Sequence, residues 1–177
     1  MLALIAERVS GTPFHDLVQQ RVCGPAGMSD TAFLRSDEIP GGTALGYLSA
    51  EGPRTNVFHL PVRGSGDGGA YSTVADVHAL WESAFHGFAV VPRHQVDEMV
   101  RSRSDLPPGS PQYGLGLWLD ADGDAVILTG SDAGVSFRST HHRASGLTHT
   151  VISNTSDGAW PVAHELAQLL QASDVEV

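Results

Sequence analysis

The fold class this sequence predicts is α+β, with helices covering an antiparallel sheet near the C-terminus. Three observations carry that expectation. Apolar residues recur at helical spacing in several segments before residue 111. From Tyr113 the apolar period shortens to two. A helical period then returns after Ser156. The reading is one partial domain over 1–177, with a helical, loop-rich part at 1–111 and a meander plus closing helix at 112–177.

Leu2, Ile5, Ala6 and Val9 fall on one helical face, and Ser10-Gly11 ends that run. The helix opens at Met1 with no Ser, Thr, Asp or Asn before it to cap it. We therefore expect an earlier portion of the fold to be missing, the plain alternative being a helix that frays at a free terminus. Thr12-Pro13 suits the start of a second helix, with Phe14, Leu17, Val18 and Val22 on one face and Gly24-Pro25 as its stop. Residues 35–68 are rich in glycine and proline, and only Gly46-Tyr47-Leu48 and Val57-Phe58 read as small strands. The glycines at 64–69 follow no clear strand and precede no lysine, so phosphate binding is not expected.

Thr73-Val74-Ala75-Asp76 opens another helix in the manner of a capping box. Val77, Leu80, Trp81 and Ala84 form its face, and Gly87 ends it. Pro92 to Val100 is a further short helix. A four-stranded antiparallel meander follows: Leu115, Leu117 and Leu119 alternate, Asp122-Gly123 marks a hairpin, Ala125–Leu128 is apolar, Val135, Phe137 and Ser139 alternate, and Leu147–Ser153 returns. Ser156 or Asp157 caps a final helix with Val162, Leu166, Leu169 and Leu170 on one face.

Composition narrows the function. The chain is 41% hydrophobic and 17% charged, ordinary for a globular protein, with net charge −10. That balance argues against nucleic acid and against an anionic membrane surface as partners. No apolar run approaches the ~20 residues that span a bilayer, and the N-terminus is no signal peptide. The expected location of the chain as encoded is the cytoplasm. Cys23 is the one cysteine, so no internal disulfide forms, and it reads as a small buried hydrophobe. All ten basic residues are arginine, so any mechanism needing a lysine is excluded within these 177 residues.

Several segments in order resemble the serine β-lactamase family of class C type, which also holds penicillin-binding proteins, DD-peptidases and esterases. They are Ile5–Phe14 (IAERVSGTPF), Pro25–Phe33 (PAGMSDTAF), Gly68–Asp76 (GGAYSTVAD), Tyr113–Trp118 (YGLGLW), Leu128–Phe137 (LTGSDAGVSF) and Val151–Asn154 (VISN). The glycines and Pro25 among them are explained by backbone geometry and identify a fold more than a chemistry. The resemblance implies a partial β-lactamase/transpeptidase-like fold, C-terminal part only. It also implies a parent activity of amide or ester hydrolysis through an acyl-enzyme.

That chemistry uses a Ser-x-x-Lys nucleophile, a Tyr-x-Asn motif and a Lys- or His-Thr-Gly strand, combining an activated serine with backbone N–H groups for the oxyanion. Ser-x-x-Lys is impossible without lysine, and Tyr47, Tyr71 and Tyr113 are followed two places on by Ser, Thr and Leu. The resemblance places both motifs ahead of Met1, so no catalytic residue is assigned. The third motif is altered: Thr129-Gly130 match, and Leu128 stands where Lys or His belongs. Leu128, Thr129, Gly130 and Ser131 are the candidate substrate-binding strand, with the Ser131 N–H as a possible oxyanion donor and a purely structural strand as the competing reading. His141, His142 and His149 surround one hairpin. Adjacent histidines face opposite ways on a strand, so at most one of the pair joins His149, and neither a metal nor another cofactor is expected.

Three functional readings follow. The chain is the C-terminal portion of a serine hydrolase, inactive alone. Or it is a non-catalytic protein that self-associates or completes a separate N-terminal half, its uncovered sheet edge and apolar face acting as the template. Or it is a binding module for a small amide, ester or β-lactam-like ligand near Thr129–Ser131.

Overall fold

The computed structural model describes residues 1–49, 52–107, 109–121 and 124–173. Helix α1 (Leu2–Ser10) ends at Gly11, whose φ of 67° is the left-handed geometry that favours glycine at a helix end. Helix α2 (Phe14–Val18) follows. Pro13, not Thr12, sits at its cap position, and the cap is supplied from α1: Glu7 Oε1 accepts the Phe14 N–H at 2.6 Å.

Gly24-Pro25 does not stop the second helix as expected. The chain runs on through a π-helical turn, Gln19–Cys23, into the short α3 (Gly24–Ala26), and Gly27 at φ 74° ends it. Pro25 sits in the first turn of α3, where a missing N–H is tolerated. Cys23 is 2% exposed and packs with Ala26 and Met28. Burial, aided by the Asp76 charge, pushes its thiol pKa up, which suits an inert core residue.

Helix α4 (Val74–Glu82) starts where the capping motif places it. The Thr73 Oγ1 accepts the Asp76 N–H at 3.1 Å. Asp76 does not reach back to the cap. Its buried carboxylate instead accepts the Asp30 N–H at 2.8 Å and the Thr31 hydroxyl at 2.6 Å, tying the segment after α3 to the start of α4. A π-helical turn, Ser83–Gly87, continues α4, and α5 (Arg93–Met99) follows.

The sheet has five strands in sequential antiparallel order: β1 (Gln112–Tyr113), β2 (Trp118–Leu119), β3 (Ala125–Asp132), β4 (Val135–His142) and β5 (Thr148–Ser153). The expected meander is present, lengthened by β1. The Asp122-Gly123 hairpin signal lies outside the described residues. Leu117 and Leu119 are buried as the alternation predicts, while Leu115 is half exposed because the chain turns at Gly116, φ 83°. Of the two small strands expected earlier, Tyr47 makes single bridges to Thr55 and Thr155, and Phe58 stands in solvent.

Two helical layers sandwich the sheet. On one face α4 docks through Trp81, 2% exposed, whose indole N–H donates to Ser139 Oγ at 2.7 Å. Val77, Trp81, Leu117, Leu119 and Val126 form the core there. On the other face lies α6 (Ala159–Ser173), with Ala159 and Ala163 buried and the Ala159 N–H on Ser136 Oγ at 3.0 Å. Val162 and Leu169, expected on the packing face of α6, are instead half exposed, because the two alanines allow the closer approach.

Removing the Asp76 carboxylate takes away the acceptor of the Asp30 N–H and leaves the Thr31 hydroxyl only Ser72 Oγ, 2.8 Å away. Asp76→Ala is expected to lose about 1–3 kcal/mol in urea unfolding. Thr73→Ala, which removes one cap bond, is expected to lose about 1 kcal/mol.

Candidate functional site

The four candidate residues Leu128, Thr129, Gly130 and Ser131 are consecutive on β3, opposite Ser139, Arg138, Phe137 and Ser136 of β4. Along a strand, side chains alternate between faces and backbone groups alternate between edges. Leu128 points toward α4, half-buried against the cluster of Val77, Trp81 and Val126. Thr129 and Ser131 lie on the opposite face and are exposed, and the Thr129 hydroxyl donates to the Phe137 carbonyl at 3.2 Å.

The backbone direction follows from two bonds at the start of β3. The Ala125 carbonyl accepts the Asp120 N–H on the β2 side, and the Asp124 carbonyl accepts the Arg143 N–H on the β4 side. Odd-numbered residues of β3 therefore turn their N–H and C=O toward β2. But β2 pairs only with Val126 and Ile127. Thr129 and Ser131 thus present backbone donors and acceptors to an edge that no strand covers among the described residues.

Two devices hold that edge open and fixed. The chain leaves the sheet before β2 at Gly114, which packs so closely on the Met99 carbonyl that a methyl there would collide with it, and the Leu115 N–H donates to the same carbonyl at 2.9 Å. At the far end, the β3–β4 turn is clamped by the loop around residue 46. Asn56 Nδ2 donates to the Ala133 carbonyl at 2.9 Å, the Gly134 N–H donates to Ser156 Oγ at 2.9 Å, and a side chain at Gly46 would strike the Gly134 carbonyl. Gly134 has φ 72°, so the turn itself needs glycine. The sequence analysis did not single out Asn56, which no local pattern marks, and read Ser156 only as a candidate helix cap, whereas its Oγ accepts the Gly134 N–H of the turn.

The histidines divide as strand alternation requires. His142 and His149 share the α6 face, ring centroids 5.7 Å apart. His141 lies on the α4 face, 1% exposed, stacked on Trp81 at 5.7 Å and 14°. Its Nδ1 pairs with Thr148 Oγ1 at 2.7 Å, and its Nε2 has no partner among the described residues. No group of three or more His, Cys, Asp or Glu among the described residues is placed to hold a metal.

Comparison with solved structures identifies the fold. The chain superimposes on the penicillin-binding protein from Bacillus halodurans with TM-score 0.87 and 32% identity, over 95% of this chain and 53% of that one. It superimposes on the octameric penicillin-binding protein homologue from Pyrococcus abyssi with TM-score 0.76 and 24% identity, over 96% and 40% of the two chains. For the D-stereospecific amidohydrolase from Streptomyces sp. the values are 0.66 and 21%, over 87% and 47%. The chain thus spans about half the length of these solved relatives. It matches none of the curated proteins. The fold is the penicillin-binding-protein/β-lactamase-like one. A family model described as Beta-lactamase matches residues 1–173, and the chain belongs to that family. No helix among the described residues is long and apolar enough to cross a membrane.

Burial holds the His141 imidazole below its ordinary pKa of 6.5, with the charges of His86 and His142 adding to the effect. Burial does the same for His149, helped by His142 and Arg138. Below about pH 6.5 the unfolded chain binds protons that these folded imidazoles refuse. Stability is therefore full above that pH and falls as the pH drops through it. Urea midpoints measured from about pH 7.5 to 5.5 should decrease, and His141→Phe, which keeps the stack on Trp81, should flatten the slope. An unchanged slope would show that His141 is not a contributor.

Proposed function

We propose that this chain is the sheet-bearing, C-terminal portion of a serine hydrolase that cleaves an amide or ester through an acyl-enzyme. On this reading it supplies the strand along which the substrate lies and not the nucleophile. The single observation that carries it is the open edge at Thr129 and Ser131 in a member of the Beta-lactamase family. An extended acyl donor adds to such an edge by main-chain hydrogen bonds. The Ser131 N–H, turned to that edge, is the donor we assign to the developing oxyanion.

The proton chemistry comes from outside these residues. With no lysine there is no Ser-x-x-Lys, and Leu128 offers neither charge nor hydrogen bond at the third motif. We assign the nucleophile and its base to an N-terminal portion, in the same polypeptide or a separate one. The substrate class, a small amide, ester or β-lactam, rests on the family and on the amidohydrolase among the solved relatives.

A second reading, a non-catalytic protein that self-associates or completes another chain, is favoured by α1. None of its residues is buried; Leu2 is 82% and Val9 83% exposed. The octameric state named for the Pyrococcus abyssi homologue is in keeping with it.

Fluorescent penicillin and a fluorophosphonate should leave the 177-residue chain unlabelled, and covalent labelling of it would overturn the inactive-alone assignment. Reversible, saturable penicillin binding that is lost in Ser131→Pro, which deletes that N–H, supports the edge as the substrate strand. Sedimentation velocity should show association of the chain. That association should weaken in Leu2→Glu/Val9→Glu, and a monomer at every concentration tested would remove the second reading.

A further inference from the structure

The two outer edges of the sheet are guarded differently. On one side β1 is two residues long and follows Pro111, so that edge offers little to pair with. On the other, β5 spans six residues and, among the described residues, pairs only with β4. Its register with β4 runs without a bulge. Thr148, Thr150, Val151 and Ile152 are β-branched, and the strand holds no proline, glycine, carboxylate or guanidinium. Charges, prolines and bulges are what normally keep sheet edges apart, and β5 has none of them.

Backbone direction shows which groups this edge presents. The His142 N–H donates to the Leu147 carbonyl at 2.8 Å, so odd-numbered residues of the β5 segment turn toward β4 and even-numbered ones turn outward. Asn154 obeys the same parity: its carbonyl accepts the N–H of Tyr47, a loop residue and not one of β4, at 2.8 Å. Tyr47 therefore closes one end of the edge, and Thr148, Thr150 and Ile152 present their N–H and C=O groups to the open stretch beside it. An apolar wall flanks that stretch. Helix α6 starts beside Ser136 on β4 and runs back over β4 and β5. Val162 and Leu169 share one flank of α6, roughly 100–120° around the helix from the sheet-facing Ala163. The right-handed turn of the helix puts that flank on the side of the free edge, and both residues are half exposed there.

We propose that β5 and the Val162–Leu169 flank of α6 form the surface through which this chain pairs with a second copy of itself, β5 antiparallel to β5. The inference rests on the self-association reading above and names its surface. A two-fold axis at Thr150 pairs that residue with its own copy and Thr148 with Ile152 in both directions. Every outward N–H and C=O of the three residues then has a partner. His149 stands opposite Val151, and no charged side chain of one β5 meets a like charge of the other, which matters between two chains of net charge −10. Because α6 lies over both β4 and β5, its copy lies two strand spacings away, about 10 Å, the distance at which helices pack. Val162 and Leu169 fill that contact from both sides.

Amide hydrogen exchange of the 177-residue chain tests this without a variant. Over about a hundredfold rise in concentration, the Thr148, Thr150 and Ile152 amides should gain protection, while those of His149 and Val151, already turned to β4, should not change. Ile152→Lys, which places a charge on the edge, and Val162→Glu/Leu169→Glu should each weaken the dimer about tenfold or more in sedimentation velocity. The amide spectrum reports folding of each variant. Association lost only in Leu2→Glu/Val9→Glu, with no gain at the three edge amides, would keep the self-association reading and overturn this surface. Unchanged association in both edge and flank variants would do the same. A monomer at every concentration, its edge amides exchanging freely, would overturn both and leave the edge to a different chain.

Discussion

The structure depends on one docking contact, that of Trp81 with the sheet. The indole is buried on the α4 face, and its single donor is satisfied by Ser139. Ser139 in turn shares a hydrogen bond with Thr150 at 2.7 Å, and His78 from the next turn of α4 meets Thr150 at 3.0 Å. The helix is therefore fixed to β4 and β5 by a polar chain as well as by apolar packing. A buried indole without a partner would cost the full desolvation of its N–H, so this contact sets the position of α4 closely. Everything N-terminal follows, because Asp76 on α4 holds Asp30 and Thr31 and so the segment that leads back to α3, α2 and α1.

The elements that local physics decides could be read from the sequence. The cap at Thr73, the stop at Gly11, the buried alternation of Leu117 and Leu119, and the division of His141 from His142 are all short-range consequences of backbone geometry. The misreadings share a cause as well. Gly24-Pro25 is a stop signal only if the helix before it is an α-helix, and the π-helical turn at Gln19–Cys23 removes that condition. Leu115 fits a two-residue period but sits in a turn set by the Met99 carbonyl, which lies sixteen residues earlier and leaves no trace in the local pattern. Val162 and Leu169 fit a helical face, but the small side chains of Ala159 and Ala163 decide which face meets the sheet.

The candidate site divides along the same line. The apolar run Ala125–Leu128 marked the start of this strand, and only the family resemblance extended it through Ser131. That the strand has an open edge was not legible, since it depends on where β2 ends, and β2 ends where Gly114 and Leu115 meet Met99. The clamp on the β3–β4 turn is equally invisible. Gly46, Asn56 and Ser156 converge on it from about eighty and twenty residues away, and each alone is an ordinary loop residue. Phe88 shows the reverse case. Its left-handed backbone is a local fact, but the sequence offers Gly87 beside it as the easier choice, so the folded backbone alone shows which residue takes that position.

These constraints bear on the proposed chemistry through Leu128. A strand that serves acyl transfer contributes two separable things, backbone donors along its edge and a charged side chain at its start. The edge depends on pairing and on the clamp, both of which are intact here. The side chain depends on one residue, and in this chain that residue is a leucine packed against Trp81 and Val126. A cation at position 128 would have to leave that cluster or lose its hydration within it. The apolar residue therefore suits the docking of α4 on the sheet, the same contact that fixes the N-terminal helices. On the proposed reading, the strand retains the part of its role that backbone geometry supplies, while position 128 serves the core. On that same reading, position 128 is not the source of charge for the reaction.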